Sequence, residues 1–355
     1  MISPARDAAF RVLLKVEGGG YASDLLRRET LETRDAGLAE TIVFGCLRYQ
    51  AQLDWLIAQL TKRSKLDAEV RIALRMGVFQ LRYLDRIPPH AAVSESVELV
   101  KRAKKESAAG FVNGVLRSVL RKGPRDPIKW PDLATELSVP QWMLDRWQRQ
   151  YGADTAAKIA RAALEEPATP LNPETGRLQD IGAQSVVPLL ELEPGITLLD
   201  LCAAPGNKAA QALSAGARVI ACDRYEKRLA EVPREAERIV LDASQPLPFG
   251  GSNWVRFAKI LVDAPCSGTG TLARNPEIKW RLRPTDLQRF EELQRRILKN
   301  ALACLAPGGR LVYSTCSLES EENEKMIEGL RILRTETRLP GRDSGDGFFA
   351  AVILL

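Results

Sequence analysis

Histidine is nearly missing from this sequence: His90 is the only one in 355 residues. The six cysteines (46, 202, 222, 266, 304 and 316) include no C-x-x-C pair. Without such spacings a zinc site is not supported, and no metal is expected. No apolar run reaches the roughly eighteen residues of a membrane span. Arg6 and Asp7 precede the first apolar stretch, and no signal peptide is visible. The cysteines therefore read as reduced thiols in a cytoplasm rather than as a disulfide framework. No G-x-x-x-x-G-K-[ST] loop occurs, and no long internal repeat suggests a solenoid.

What remains is a chain long enough for two domains, with 45% apolar and 27% charged residues. Net charge is +6 and unevenly spread. Residues 1–150 hold 25 Lys/Arg against 18 Asp/Glu, and the rest hold 26 against 27. The basic excess thus lies entirely in the first part. That split suggests a polyanion held by one domain and handled by the other.

Residues 1–122 predict an all-helical domain of about five to seven helices. Apolar residues recur at three- and four-residue spacing over Ala8–Lys15, Leu38–Gln59, Asp67–Tyr83, Val93–Lys105 and Gly110–Leu120. Gly123–Asp132 reads as a linker, and Glu165–Gly176, with three prolines, as a second loop. From Ile196 strands and helices alternate, the mark of a doubly wound α/β sheet. Strands are expected at Thr197–Leu201, Arg218–Cys222, Arg238–Leu241, Lys259–Val262, Arg310–Tyr313 and Phe348–Leu354. Helices are expected at Asn207–Leu213, Tyr225–Val232, Thr285–Leu305 and Ser320–Leu333. The third of these helices is given a Thr285-x-x-Gln288 capping box and a stop at Gly308-Gly309.

Three strand-end loops carry chemistry. Asp263-Ala264-Pro265-Cys266 and Ser314-Thr315-Cys316-Ser317 each place a thiol where open α/β sheets bind ligands. A lone Pro-Cys is usually a buried thiol; two thiols at two strand ends make a site. The third loop, Leu199–Lys208 (LDLCAAPGNK), joins the first strand to the first helix but is not G-x-G-x-x-G. Its small residues Ala203, Ala204 and Gly206 still admit a ligand close to the backbone. Asp223 follows the second strand, where a carboxylate accepts ribose hydroxyls, and Asp242 follows the third. Acids at strand ends without a phosphate loop fit a nucleoside with a positive centre, which is S-adenosylmethionine.

Leu47-Arg48, Val70–Asp85, Ile87–Ala91 and Phe111–Arg117 resemble the NusB-like RNA-binding domain, over residues 3–122. His90 sits in its Pro-His-Ala turn and reads as structural. Asp200–Lys208, Asp263–Gly268, Asn275–Trp280, Leu311–Ser317 and Asp346–Ala350 resemble the Sun-type RNA (cytosine-5)-methyltransferases. The joint layout resembles the bacterial enzymes that methylate 16S rRNA. The resemblance implies a NusB-like domain over 1–122, a linker region over 123–180 and a Rossmann-like methyltransferase domain over 181–355. It implies S-adenosylmethionine contacts at Cys202, Ala203, Ala204, Pro205, Gly206, Asn207, Lys208, Asp223, Asp242 and Asp263. It also implies Cys316 as nucleophile, Cys266 as the thiol of product release, a monomer, and RNA as partner. Asn207 replaces the usual second glycine of the loop. Only Asn172–Leu178 stands where the family carries a small RNA-facing subdomain of several tens of residues.

The implied chemistry needs such a pair of thiols. Carbon 5 of cytosine is a poor nucleophile, and a thiolate adding to carbon 6 turns the ring into an enamine that attacks a methyl sulfonium. Asp263, when protonated, is expected to meet N3 and the exocyclic amine, and Lys208 or the local helix N-termini to favour the thiolate. The base must be unstacked to reach them. A DNA-type cytosine methyltransferase would use Cys266 as nucleophile and would not need Cys316. An amino-methylating enzyme would need an Asn/Asp-Pro-Pro-aromatic loop, which Asp263–Cys266 is not. A non-catalytic ribosome-assembly factor that kept the fold is the alternative from another class.

Overall fold

The computed structural model describes every residue except Met1, 62–64, 124–125, Thr169 and 250–255. Residues 124–125 of the first linker and Thr169 of the second loop therefore lie outside the described residues. The chain forms two compact units, Met1–Glu165 with Asn275–Arg281, and Glu166–Arg274 with Leu282–Leu355.

In the first unit the apolar spacing yields α1 (Pro4–Glu17), α2 (Ala22–Arg27), α3 (Thr33–Arg48), α4 (Gln50–Leu60), α5 (Ala68–Tyr83), α6 (Pro89–Arg102) and α7 (Ala109–Arg121). Pro4 and Pro89 occupy first-turn positions, where a missing N–H costs nothing. The core gathers Val12, Ile42, Leu74, Met76, Leu99 and Leu116, all essentially inaccessible. Gly45 lets α3 meet α5: a Cβ there would lie 1.9 Å from the Phe79 ring. The single helix expected over Leu38–Gln59 breaks at Tyr49, whose ψ is 14°. Helical hydrogen bonds cross the break, from Tyr49 N to Gly45 O and from Leu53 N to Tyr49 O, so the periodicity does not reveal it. α8 (Leu133–Glu136), α9 (Gln141–Tyr151) and α10 (Ala153–Ala162) complete this stretch, with Trp147 fully buried.

The second unit begins with a tight turn. Leu171 and Leu178 form an isolated bridge, and Asn172 N donates to Arg177 O at 2.8 Å. Then come α11 (Ile181–Gln184), β1 (Thr197–Asp200), α12 (Asn207–Ser214), β2 (Arg218–Asp223), α13 (Glu226–Leu229), β3 (Glu237–Val240) and β4 (Phe257–Asp263). After α14 (Ile278–Arg281) follow α15 (Pro284–Cys304), β5 (Leu305–Thr315), β6 (Ile332–Arg338) and β7 (Phe348–Leu354). The strands make one seven-stranded sheet in the order β3-β2-β1-β4-β5-β7-β6. β1 to β5 pair in parallel, and β7 runs antiparallel between β5 and β6. The chain reverses direction across the sheet between β1 and β4, where such folds open a ligand crevice.

Three expectations are corrected here. Ser320–Leu333 is not a helix: it is turns with one 3-10 segment, Glu324–Met326, and its end enters β6. The cause is that Glu322 and Asn323 point inward to hydrogen-bond the loops of the site, which a surface helix would forbid. The capping box of α15 is made by Asp286, which accepts Arg283 N at 2.9 Å behind Pro284. That helix also ends at Cys304, and β5 starts at once, before Gly308-Gly309.

The segment Asn275–Arg281, expected inside the sheet domain, belongs to the first unit. Lys279 Nζ donates to Arg48 O and Trp280 Nε1 to Leu47 O, each at 2.8 Å, capping the carbonyl end of α3. Glu277 accepts Ala22 N at 3.0 Å, at the amide end of α2. Burial, then Arg48, pushes Lys279 down to about 7.

Candidate active site

Every strand-end loop singled out in the sequence stands at the carboxyl edge of the parallel strands. The first loop is held from both sides. Ala203 N donates to Cys222 O at 2.8 Å, and Ala204 N to Asp223 Oδ2 at 3.3 Å. Gly206 has φ +97°, and a Cβ there would sit 2.7 Å from Val232 Cα, so only glycine fits. Asn207 opens α12 and donates to Leu178 O at 3.2 Å, tying the loop to the turn.

A cavity of about 250 Å³ opens beside this loop. Cys202, Ala203, Ala204, Pro205, Asn207, Lys208 and Asp263 line it, with Asp180, Asp200, Arg274 and Asp346. Asp223 stands behind Ala204, and its other oxygen accepts Tyr225 N at 2.9 Å. Asp242 is not among the lining residues. It binds Ser244 through N at 3.0 Å and Oγ at 2.7 Å, and that hydroxyl holds its carboxyl below the usual range.

Lys208 reaches across to Asp263 Oδ2 at 2.5 Å, and Ser314 Oγ donates to Oδ1 at 2.8 Å. Burial alone would lower Lys208, yet Asp263, with Asp200, raises it, so it stays an ammonium. Asp200, only 1% exposed, takes Cys202 N on one oxygen and leaves Oδ2 without a partner. Burial first, then the charge of Asp263, pushes Asp200 up to about 7.

The two thiols meet. Cys266 Sγ and Cys316 Sγ lie 3.2 Å apart. The hydrogen bond to Cys316, followed by burial, drives Cys266 well above an ordinary thiol. Burial also pushes up Cys202, which lines the cavity, and Cys222 and Cys46, which are buried in the cores. Cys304, the last residue of α15, is buried in the core of the sheet domain.

Sequence reasoning missed the support under this pair. Glu322, with no exposed surface, accepts Ser267 N at 2.8 Å and Gln294 Nε2 at 2.9 Å. It also takes short hydrogen bonds from Ser267 Oγ and Ser317 Oγ. Asn323 receives Thr315 Oγ1 at 2.6 Å and donates to Ser317 O at 2.9 Å. The other omission is an ionic lip, in which Arg274 bonds Asp346 at 2.8 Å and approaches Asp180 at 3.5 Å. Among the described residues no group of three or more His, Cys, Asp or Glu side chains is placed to hold a metal.

The sheet order and the loops at its carboxyl edge define a Rossmann-like methyltransferase domain, here in a chain that begins with a NusB-like helical domain. The NusB family model matches residues 3–121, and the model of 16S rRNA methyltransferase RsmB/F matches residues 187–339. The chain is 32% identical to the ribosomal RNA small subunit methyltransferase B of Klebsiella pneumoniae (strain 342), over 96% of this chain and 95% of that one. It is 30% identical to the probable ribosomal RNA small subunit methyltransferase B of Bacillus subtilis, over 91% and 87%. The chain belongs to this RsmB/F methyltransferase family. The Klebsiella alignment spans 411 residues while taking in 96% of a 355-residue chain, so that relative carries some tens of residues with no counterpart here. The crystal structure of PH0851 superposes with a TM-score of 0.81 at 20% identity, covering 100% of this chain and 99% of that one, and supports the fold.

Proposed function

We propose that the protein methylates carbon 5 of a cytosine in 16S rRNA, with S-adenosylmethionine as donor. The observation that carries this reading is the pair of thiols 3.2 Å apart beside the Lys208–Asp263 ion pair. A single nucleophile needs one cysteine; a covalent adduct that must also be released has use for a second. The names of the curated relatives supply the RNA.

The cavity suits the cofactor. It offers acids rather than a phosphate cradle, and Asp200, whose Oδ2 has no hydrogen-bond partner, is one of the residues that line it. Ala203, Ala204, Pro205 and Gly206 would pass close to the nucleoside, and Asp223, behind Ala204, would accept its ribose hydroxyls. When bound, S-adenosylmethionine supplies an electrophilic methyl group on a sulfonium.

The chain's own residues do the rest. Cys316, as thiolate, adds to carbon 6 of a base taken out of its stack. Asp263, whose Oδ2 lies 2.5 Å from Lys208 Nζ, meets the exocyclic amine as acceptor and N3 once it carries a proton. Cys266 keeps its proton during attack. Once Cys316 is bonded to carbon 6, Cys266 gives its proton to solvent and, as thiolate, takes the carbon-5 proton while the C5–C6 double bond re-forms and Cys316 leaves as thiolate. The basic helical domain supplies affinity for the RNA backbone.

The test is transfer of labelled methyl to rRNA from cells lacking the protein. Label recovered as 5-methylcytosine at one site supports the proposal. Full RNA binding without transfer would instead describe an assembly factor.

A further inference from the structure

We propose that Glu322 is the positioning residue of the two-thiol site: one buried carboxylate, bonded to the residues that follow Cys266 and Cys316, fixes the separation and the order of action of the two sulfurs. Ser267 comes directly after Cys266, and Ser317 directly after Cys316. Their hydroxyls are 3.0 Å apart and both donate to Glu322 Oε2. Oε1 takes Ser267 N and Gln294 Nε2, and the same Gln294 nitrogen reaches Pro265 O at 3.0 Å. Four donors on two oxygens fill the acceptor sites of an ionised carboxylate. Tyr313 OH donates to Glu322 O at 2.8 Å, anchoring the backbone to the middle of the sheet.

No cation pairs with this carboxylate among its bonded partners, so its burial is costly, and burial pushes its pKa up. A group of that kind persists where it determines a geometry. It holds the loop after β4 and the loop after β5 at one distance. It also keeps negative charge near Cys266, which favours the thiol form of that residue. The titratable groups facing Cys266 are Cys316, Glu322 and Tyr313. Glu322 thus acts through both thiols without touching substrate.

This inference rests on the two-thiol reading, and its test is chosen to stand apart from it. In the full chain without RNA, alkylation of each cysteine by iodoacetamide is followed across pH by mass spectrometry, for wild type and Glu322→Gln. The amide turns a donor toward groups that are themselves donors and removes the charge. Cys266 should become reactive at lower pH, and kcat for methyl transfer should fall at least about tenfold with KM unchanged. A purely structural role predicts a folded protein of lower Tm with an unaltered alkylation profile, and that outcome, or wild-type kcat, overturns the inference. If Glu322→Gln does not fold, the double variant Ser267→Ala/Ser317→Ala decides, since it keeps the carboxylate and the backbone donor. Wild-type turnover and alkylation in that variant would equally overturn it. Failure of methyl transfer in every form, wild type included, would count against the reaction proposed above and leave the alkylation result standing.

Discussion

The sulfurs of Cys266 and Cys316 lie 3.2 Å apart although 50 residues separate them in sequence. Parallel pairing of β4 with β5 accounts for this. Val262 stands opposite Tyr313 and Asp263 opposite Ser314, and Ala264 N extends the ladder to Ser314 O at 2.8 Å. Each strand then turns outward and delivers a thiol within three residues. Two thiolates at that distance repel, which disfavours ionisation of both at once. The hydrogen bond to Cys316, with burial, drives the Cys266 thiol upward.

Asp200 yields a pH prediction. Its folded pKa, about 7, lies above the unfolded 3.8. The native state therefore keeps a proton that the unfolded state releases, and stability falls as pH rises between those values. Above about 7 the full cost of burying the charge is present. Asp200→Asn keeps an acceptor for Cys202 N and removes that cost. The Tm of the ligand-free variant should exceed wild type by a few degrees near pH 8, with the gap closing toward pH 4. A gap independent of pH would contradict this account of Asp200.

The cofactor prediction concerns Asp223. Calorimetric titration should show binding of S-adenosylmethionine or its demethylated product. Asp223→Ala should weaken it by about tenfold or more, the loss of a hydrogen bond to a charged acceptor. Binding of NAD or ATP in its place would argue for different chemistry.

Affinity for RNA should be set by the helical domain. Arg117 and Arg121 are exposed one turn apart on α7, with Lys122 beside them. Replacing all three by Gln in the full chain should weaken binding to any RNA sequence and reduce the salt slope by up to about three. Deleting residues 1–122 is a poorer experiment, since it uncovers Lys279 and Trp280, whose partners are Arg48 and Leu47. An unchanged slope would assign the basic excess another role.

Much of this was legible in the sequence where pattern and chemistry coincide. The helices of the first domain follow their apolar spacing, and five strands of the parallel set precede a polar loop at or near their ends. The thiols and the loop Leu199–Lys208 could be named because turn residues and reactive side chains sit together there. β6 could not, because its residues are exposed or half-buried and none of them is fully buried to mark it as core. Glu322 was concealed for a related reason. In a run of polar residues, Glu321-Glu322-Asn323-Glu324, the one carboxylate that turns inward carries no local mark. The docking of Lys279 and Trp280 on α3 is set by contacts over more than 200 positions in the chain, which local spacing cannot reveal.

The central claim is the division of labour between the two thiols, and trapping of the covalent RNA adduct tests it most directly. Wild type, Cys316→Ala and Cys266→Ala would each be incubated with RNA and S-adenosylmethionine and resolved on a denaturing gel. The account predicts no adduct and no methylation for Cys316→Ala. For Cys266→Ala it predicts a slow-migrating band of methylated RNA held through Cys316. An adduct that survives Cys316→Ala and disappears with Cys266→Ala would contradict it.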